Sequence, residues 1–113
     1  MSGSLVDPAK KAQRILSFFI LNKIRIKMWF VYIIYSNKID RYYVGYTDEL
    51  EWRLERHNQG WGRYTKRGIP WELVYDEKYK TKSEAIKRER EIKRKKSRKY
   101  LEELVRNAGG RPD

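Results

Sequence analysis

Residues 29–47 read WFVYIIYSNKIDRYYVGYT, and they constrain this chain more than any other segment. Trp29–Tyr35 is continuously apolar and aromatic, as expected of a strand covered on both faces. Ser36–Arg41 supplies turn chemistry, and Tyr42–Thr47 reads as a second strand, which predicts a β-hairpin. Asp48, with Glu51 three residues on, resembles a capping box and predicts a helix to about Asn58, ended by Gly60. Gln59–Pro70 (QGWGRYTKRGIP) carries three glycines and a proline and reads as a loop. Trp71–Tyr79 alternates, which predicts a third strand with Trp71, Leu73 and Tyr75 on one face. Thr81 and Glu84 form a T-x-x-E capping box that opens a helix to about Lys96. Ser97 caps a last helix with Tyr100, Leu101, Leu104 and Val105 on its inner stripe. The sum is an α+β domain, a three-stranded antiparallel sheet flanked by helices.

With 113 residues the chain supports one domain with a modest core and no second catalytic domain. The expected boundaries are an N-terminal extension over 1–27, the domain over 28–106 and a flexible tail over 107–113. Formal net charge is +12, so a polyanion is the first partner to consider. Nine Tyr and four Trp exclude a disordered basic tail. The lack of cysteine excludes disulfides and Cys-ligated zinc and fits a reducing cytoplasm. The longest apolar run, Ile15–Leu21, falls far short of the ~20 residues of a membrane span. NKIRIK follows where a signal-peptide cleavage site would lie, so no membrane partner and no secretory leader are expected. Residues 1–27 hold six basic residues and one acid and end just before Met28. They read as a non-native or added extension, or as an amphipathic helix over Pro8–Asn22 that docks on a partner. The first reading is favoured.

Several side chains sit oddly on the predicted helices. At about 100° per residue, Ala85, Ile86 and Ile92 form an apolar stripe with Glu89 projecting from its middle. An inward carboxylate is costly unless it is paired or holds a metal; the bland alternative is an ion pair with a neighbouring arginine. Arg53 and His57, an i,i+4 pair, rise along the edge of the Leu50–Leu54 stripe while Trp52 and Arg56 point outward. A lone histidine there is more often a helix C-terminal cap than a catalyst. Between Lys78 and Lys99 twelve basic residues face three acids, and the run Lys93, Arg94, Lys95, Lys96 is unbroken. The loop interleaves Trp61 and Tyr64 with Arg63, Lys66 and Arg67, a mixture suited to stacking on bases while cations meet phosphate. A solvated basic face is the common alternative; the charge density favours nucleic acid.

Phe30-Val31-Tyr32 and Tyr43-Val44-Gly45 resemble the two signature triplets of the GIY-YIG nuclease superfamily, their tyrosines eleven positions apart. The resemblance covers about Met28–Val105 and is closest to the small stand-alone bacterial branch, related to the nuclease domain of the excision-repair incision subunit. Phe30 replaces the first signature glycine, a frequent substitution in that branch. The family's catalytic arginine falls on Arg53, ten residues past the second tyrosine, and its histidine on His57. A motif resembling E-A-x-x-x-E, running from Glu84 to Glu89, places the metal-binding glutamate at Glu89.

The resemblance implies a metal-dependent endonuclease acting on DNA, with RNA as a further candidate, in a repair- or structure-related role. Glu89 would anchor one Mg²⁺ (or Mn²⁺), and Arg53 would hold the scissile phosphate. Tyr43 would orient water or phosphate. Tyr32 and His57 remain alternatives for the primary base, since a phenol with a pKa near 10 needs help at neutral pH. By the same reading Tyr35 and Tyr42 are packing or surface residues, and Tyr46 is undecided. Two other readings stand beside the nuclease: a non-catalytic basic nucleic-acid-binding module, and a subunit recruited to a protein partner through residues 1–27.

Overall fold

The computed structural model describes residue 16 and residues 27–109. Within them lie β1 (Trp29–Ser36), β2 (Arg41–Thr47), α1 (Leu50–Asn58), a 3₁₀ turn (Thr65–Gly68), β3 (Trp71–Tyr79), α2 (Lys82–Arg94) and α3 (Arg98–Gly109). The strands form one antiparallel sheet in the order β2-β1-β3, so the chain folds as the expected α+β sandwich of helices and sheet. The expected helix over Pro8–Asn22 lies outside the described residues but for Leu16.

The central position of β1 explains why it is apolar on both sides. Val31 and Ile33 enter a core with Val44 and with Ala85 and Ile92 of α2, closed by Leu101, Leu104 and Val105 of α3. Tyr32 and Ile34 enter a second core with Trp71, backed by Leu50 and Leu54 of α1. The sheet is therefore a middle layer, with α1 over one face and α2 with α3 over the other. At the hairpin turn Asp40 adopts a left-handed φ of 53°, which Asp tolerates better than most residues. Its carboxylate accepts from the Tyr35 hydroxyl and from Arg98 at the start of α3, both at 2.6 Å.

Four local expectations need correction. Tyr75 does not share a face with Trp71 and Leu73. Ile33 stands opposite Tyr75 and Ile34 opposite Leu73, leaving Val74 as the extra residue of a β-bulge, and a bulge reverses the alternation beyond it. Tyr75 and Tyr79 thus face α2 and α3, where their hydroxyls donate to Glu77, itself clamped by Arg88 of α2 at 2.9 and 3.1 Å. Asp48 does not cap α1; the N-cap is Glu49, whose amide donates to Thr47 Oγ1 at 3.0 Å, while Asp48 pairs with Lys27. Ile86 is outside both cores, because the wheel position it occupies turns away from the sheet. Finally, α2 ends at Arg94 rather than Lys96, with Lys96 in a left-handed φ of 47°. The capping box at Thr81 and Glu84 and the Ser97 cap are both present.

One polar bracket closes the far side of the sheet. The Asn58 side chain accepts from the backbone N–H of Trp71 at 2.6 Å and donates to its carbonyl at 3.0 Å, as a neighbouring strand would. The Trp71 indole N–H donates to the Thr65 carbonyl at 2.6 Å.

Candidate active site

The centre of the sheet sets the position of Tyr32. Its strand partner is Gly45, and a Cβ there would lie 2.5 Å from the Tyr32 hydroxyl oxygen. The glycine leaves the space that the phenol occupies. Gly45→Ala is therefore expected to cost about 1–3 kcal/mol of stability through overpacking. It is also expected to displace the Tyr32 hydroxyl, and denaturant unfolding beside a cleavage assay checks both effects.

Leu50 and Leu54 bind α1 to the sheet, and His57 follows on the same stripe, 6% exposed. Its Nε2 lies 3.0 Å from the Tyr32 hydroxyl and its Nδ1 2.8 Å from Thr65 Oγ1. The helix-cap alternative for His57 gives way to this buried, doubly partnered ring. Thr65 reaches it because Gly62 has no side chain; a Cβ there would collide with Thr65 Oγ1. Burial, and then the nearby Arg53 charge, hold the His57 pKa below the ordinary value of 6.5. Burial pushes the Tyr32 phenol strongly upward, helped by Tyr43 and Glu89 and opposed by Arg53. In the resting protein both groups are neutral at pH 7.

A cleft of about 380 Å³ brings Tyr32, Tyr43, Gly45, Asp48, Arg53 and Glu89 together. His57 stands behind Tyr32, with its ring edge-on to Tyr43 at 5.1 Å. Glu89 is 14% exposed, and its partner is Lys93, one turn on at 3.2 Å, rather than an arginine. Tyr46 borders the cleft against Trp29, at 6.3 Å between rings. Tyr35 and Tyr42 pack on each other at 4.8 Å, away from it.

The basic residues divide. Lys93 and Lys96 border a neighbouring cavity of about 460 Å³, which shares Tyr43 with the cleft and includes Tyr64, stacked on Tyr43 at 6.1 Å. Arg94 lines a separate cavity with Ile86 and Arg90, and Lys95 lies over Tyr100 at 5.4 Å. Arg63, Lys66 and Arg67 are exposed on the loop. Sequence reasoning missed Thr65 and Asp48 at this site. Thr65 lies in the 3₁₀ turn of a loop and has no periodic signal, and the place of Asp48 just before a helix reads as a cap instead.

A family model for the GIY-YIG catalytic domain matches residues 28–101. The chain belongs to the GIY-YIG family. It is 51% identical over 65 residues to UPF0213 proteins of Staphylococcus aureus strains Mu3 and Mu50, covering 57% of this chain and 78% of each relative. The solution NMR structure of a UPF0213 protein from Bacillus halodurans is similar at 34% identity and a TM-score of 0.48, covering 74% of this chain and 87% of that one. A GIY-YIG domain is a nuclease-type hydrolase domain, and nucleic acid is its class of substrate. Among the described residues no helix is long and apolar enough to cross a membrane.

Proposed function

We propose that this GIY-YIG domain is a divalent-metal-dependent endonuclease that hydrolyses phosphodiester bonds in DNA, in a repair- or structure-related role. One observation carries the reading: the buried Tyr32–His57 hydrogen bond opens onto a cleft that Arg53 and Glu89 also border.

The metal fits the donor set. Glu89 and Asp48 border the cleft, and Mg²⁺ is commonly held by one or two carboxylates plus substrate phosphates and water. No three His, Cys, Asp or Glu side chains among the described residues gather as an all-protein cage. When bound by Glu89, the ion supplies charge stabilisation at the phosphate and the leaving oxygen.

The chain's own residues then divide the work. Arg53 holds the phosphate with its planar fork and neutralises charge that develops on the phosphoryl oxygens. Tyr43 orients water or phosphate from the cleft wall. Tyr32 takes a proton from the attacking water as its own proton passes to His57 Nε2. The raised Tyr32 pKa argues against a standing phenolate and for this concerted transfer. His57, neutral because its pKa is lowered, is ready to accept. Thr65 Oγ1 accepts from Nδ1–H in the tautomer that leaves Nε2 free, and stabilises the imidazolium that forms.

The deciding assay follows labelled single-stranded, duplex and branched DNA, and an RNA strand, with Mg²⁺ or Mn²⁺. Tyr32→Phe, checked for folding and binding, is expected to cut about 10²–10⁴-fold more slowly. The wild-type rate should fall with acid as His57 is protonated. Its midpoint should lie below about 6.5, because the folded pKa is depressed. Tyr32→Phe cutting at the wild-type rate sinks the roles of Tyr32 and His57 in proton transfer. Salt-sensitive binding with no cutting under any condition replaces the nuclease with the binding module.

A further inference from the structure

α1 ends in a Schellman turn. Gly60 takes a φ of +86°, its amide donates to the His57 carbonyl at 3.2 Å, and the Trp61 amide donates to the Arg56 carbonyl at 3.2 Å. That turn folds Trp61 back over Arg56. The Arg56 guanidinium lies 3.4 Å from the centroid of the Trp61 ring and 4.2 Å from that of Trp52, so the cation is held between two indoles. Its Nη1 is buried with no hydrogen-bond acceptor among the described residues. The charge beneath Trp61 therefore adds to the attraction for a polyanion.

A helix-end contact accounts for the inner face of Trp61 and leaves the outer face unexplained. Trp61 is 69% exposed, the most exposed aromatic ring among the described large hydrophobics. Its ring is already fixed by the guanidinium behind it, so a ligand stacking on the free face has little rotamer freedom to remove. A cleft of about 190 Å³ joins Trp52, Arg53, Arg56, His57, Trp61 and Gly62. Arg53 borders both this cleft and the main one. A phosphate held by Arg53 therefore lies at the edge of the cleft that Trp61 lines. Inside a duplex both faces of a base are already stacked, and only an unpaired base has one to offer.

We propose that the Trp52–Arg56–Trp61 stack is a binding site for one unpaired nucleobase flanking the scissile phosphate. The proposal rests on the nuclease reading for the position of that phosphate. It directs the domain to strands, flaps or junction arms with an unpaired nucleotide beside the cut.

The test reads equilibrium binding in EDTA, where a metal-dependent enzyme does not cut. A single-stranded DNA, the same strand as a blunt duplex, and an abasic strand of equal length are compared. Trp61→Ala is expected to weaken binding of the base-bearing single strand about 5- to 150-fold, the ~1–3 kcal/mol of one base stacked on an aromatic ring. Duplex and abasic strand should bind it as they bind the wild type, and Trp61→Tyr should restore most of the loss. Tryptophan emission of the unaltered protein should also be quenched by the base-bearing strand and not by the abasic one. An equal loss for all three ligands, no loss for any, or no quenching overturns the proposal. A protein that shows this preference and never cuts overturns the nuclease reading alone. One that cuts normally and ignores Trp61→Ala overturns the stacking site alone.

Discussion

Arg53→Ala is expected to slow cleavage about 10³-fold or more, the scale on which a positioned arginine acts in phosphoryl transfer. The side chain is exposed at the cleft edge, so the fold should survive unchanged. Lysine should restore little, because a point charge lacks the planar fork that meets two phosphoryl oxygens. A second readout separates this role from simple phosphate attraction. The Arg53 charge is one of the two causes that depress the His57 pKa, so removing it should move the acid limb of the rate profile to higher pH. Single-turnover rates across pH measure both effects. A rate within about tenfold of wild type, with the acid limb unmoved, removes Arg53 from the reaction; tenfold corresponds to only about 1.36 kcal/mol of barrier.

Glu89→Gln keeps the shape of the side chain and deletes its charge. The several kcal/mol a coordinated cation contributes at a phosphate correspond to a loss of about 10²–10³-fold in rate or more. Stability should hardly change, since glutamine keeps the volume of the largely buried side chain and gives up one i,i+4 pair whose lysine is exposed. Affinity for DNA should hold or rise, because a negative charge leaves a cleft that Arg53 and Lys82 also line. Mn²⁺ binding to the protein, followed by calorimetry or water relaxation, gives a measure independent of cutting and should disappear. Near-normal cleavage with undiminished Mn²⁺ binding assigns the metal elsewhere.

The elements that follow from local rules were legible in the sequence. The hairpin is written in an apolar run and a polar turn, α2 in its capping box, and α3 in the spacing of Tyr100, Leu101, Leu104 and Val105. The oddly inward Glu89 and His57 were also legible, because helical spacing alone places them beside apolar stripes. What escaped depends on partners distant in the chain. The bulge at Val74 exists only in pairing with β1, and no property of β3 alone shifts Tyr75 to the other face. Thr47 displaced Asp48 at the start of α1 because a hydroxyl at the strand end already meets the Glu49 amide. The Arg56 sandwich depends on a turn that returns Trp61 over its own helix, and spacing rules treat helix and loop as separate.

The bracket that Asn58 places on Trp71 also bears on how this protein behaves at high concentration. β3 lies at an edge of the sheet, and an edge offers unpaired backbone groups to any extended segment of another molecule. At Trp71, the first residue of that edge, the donor and the acceptor are both already taken by one amide. The side chain that fastens α1 to the sheet thus also guards against edge-to-edge aggregation, and losing it would expose a sticky rung as well as loosen a helix.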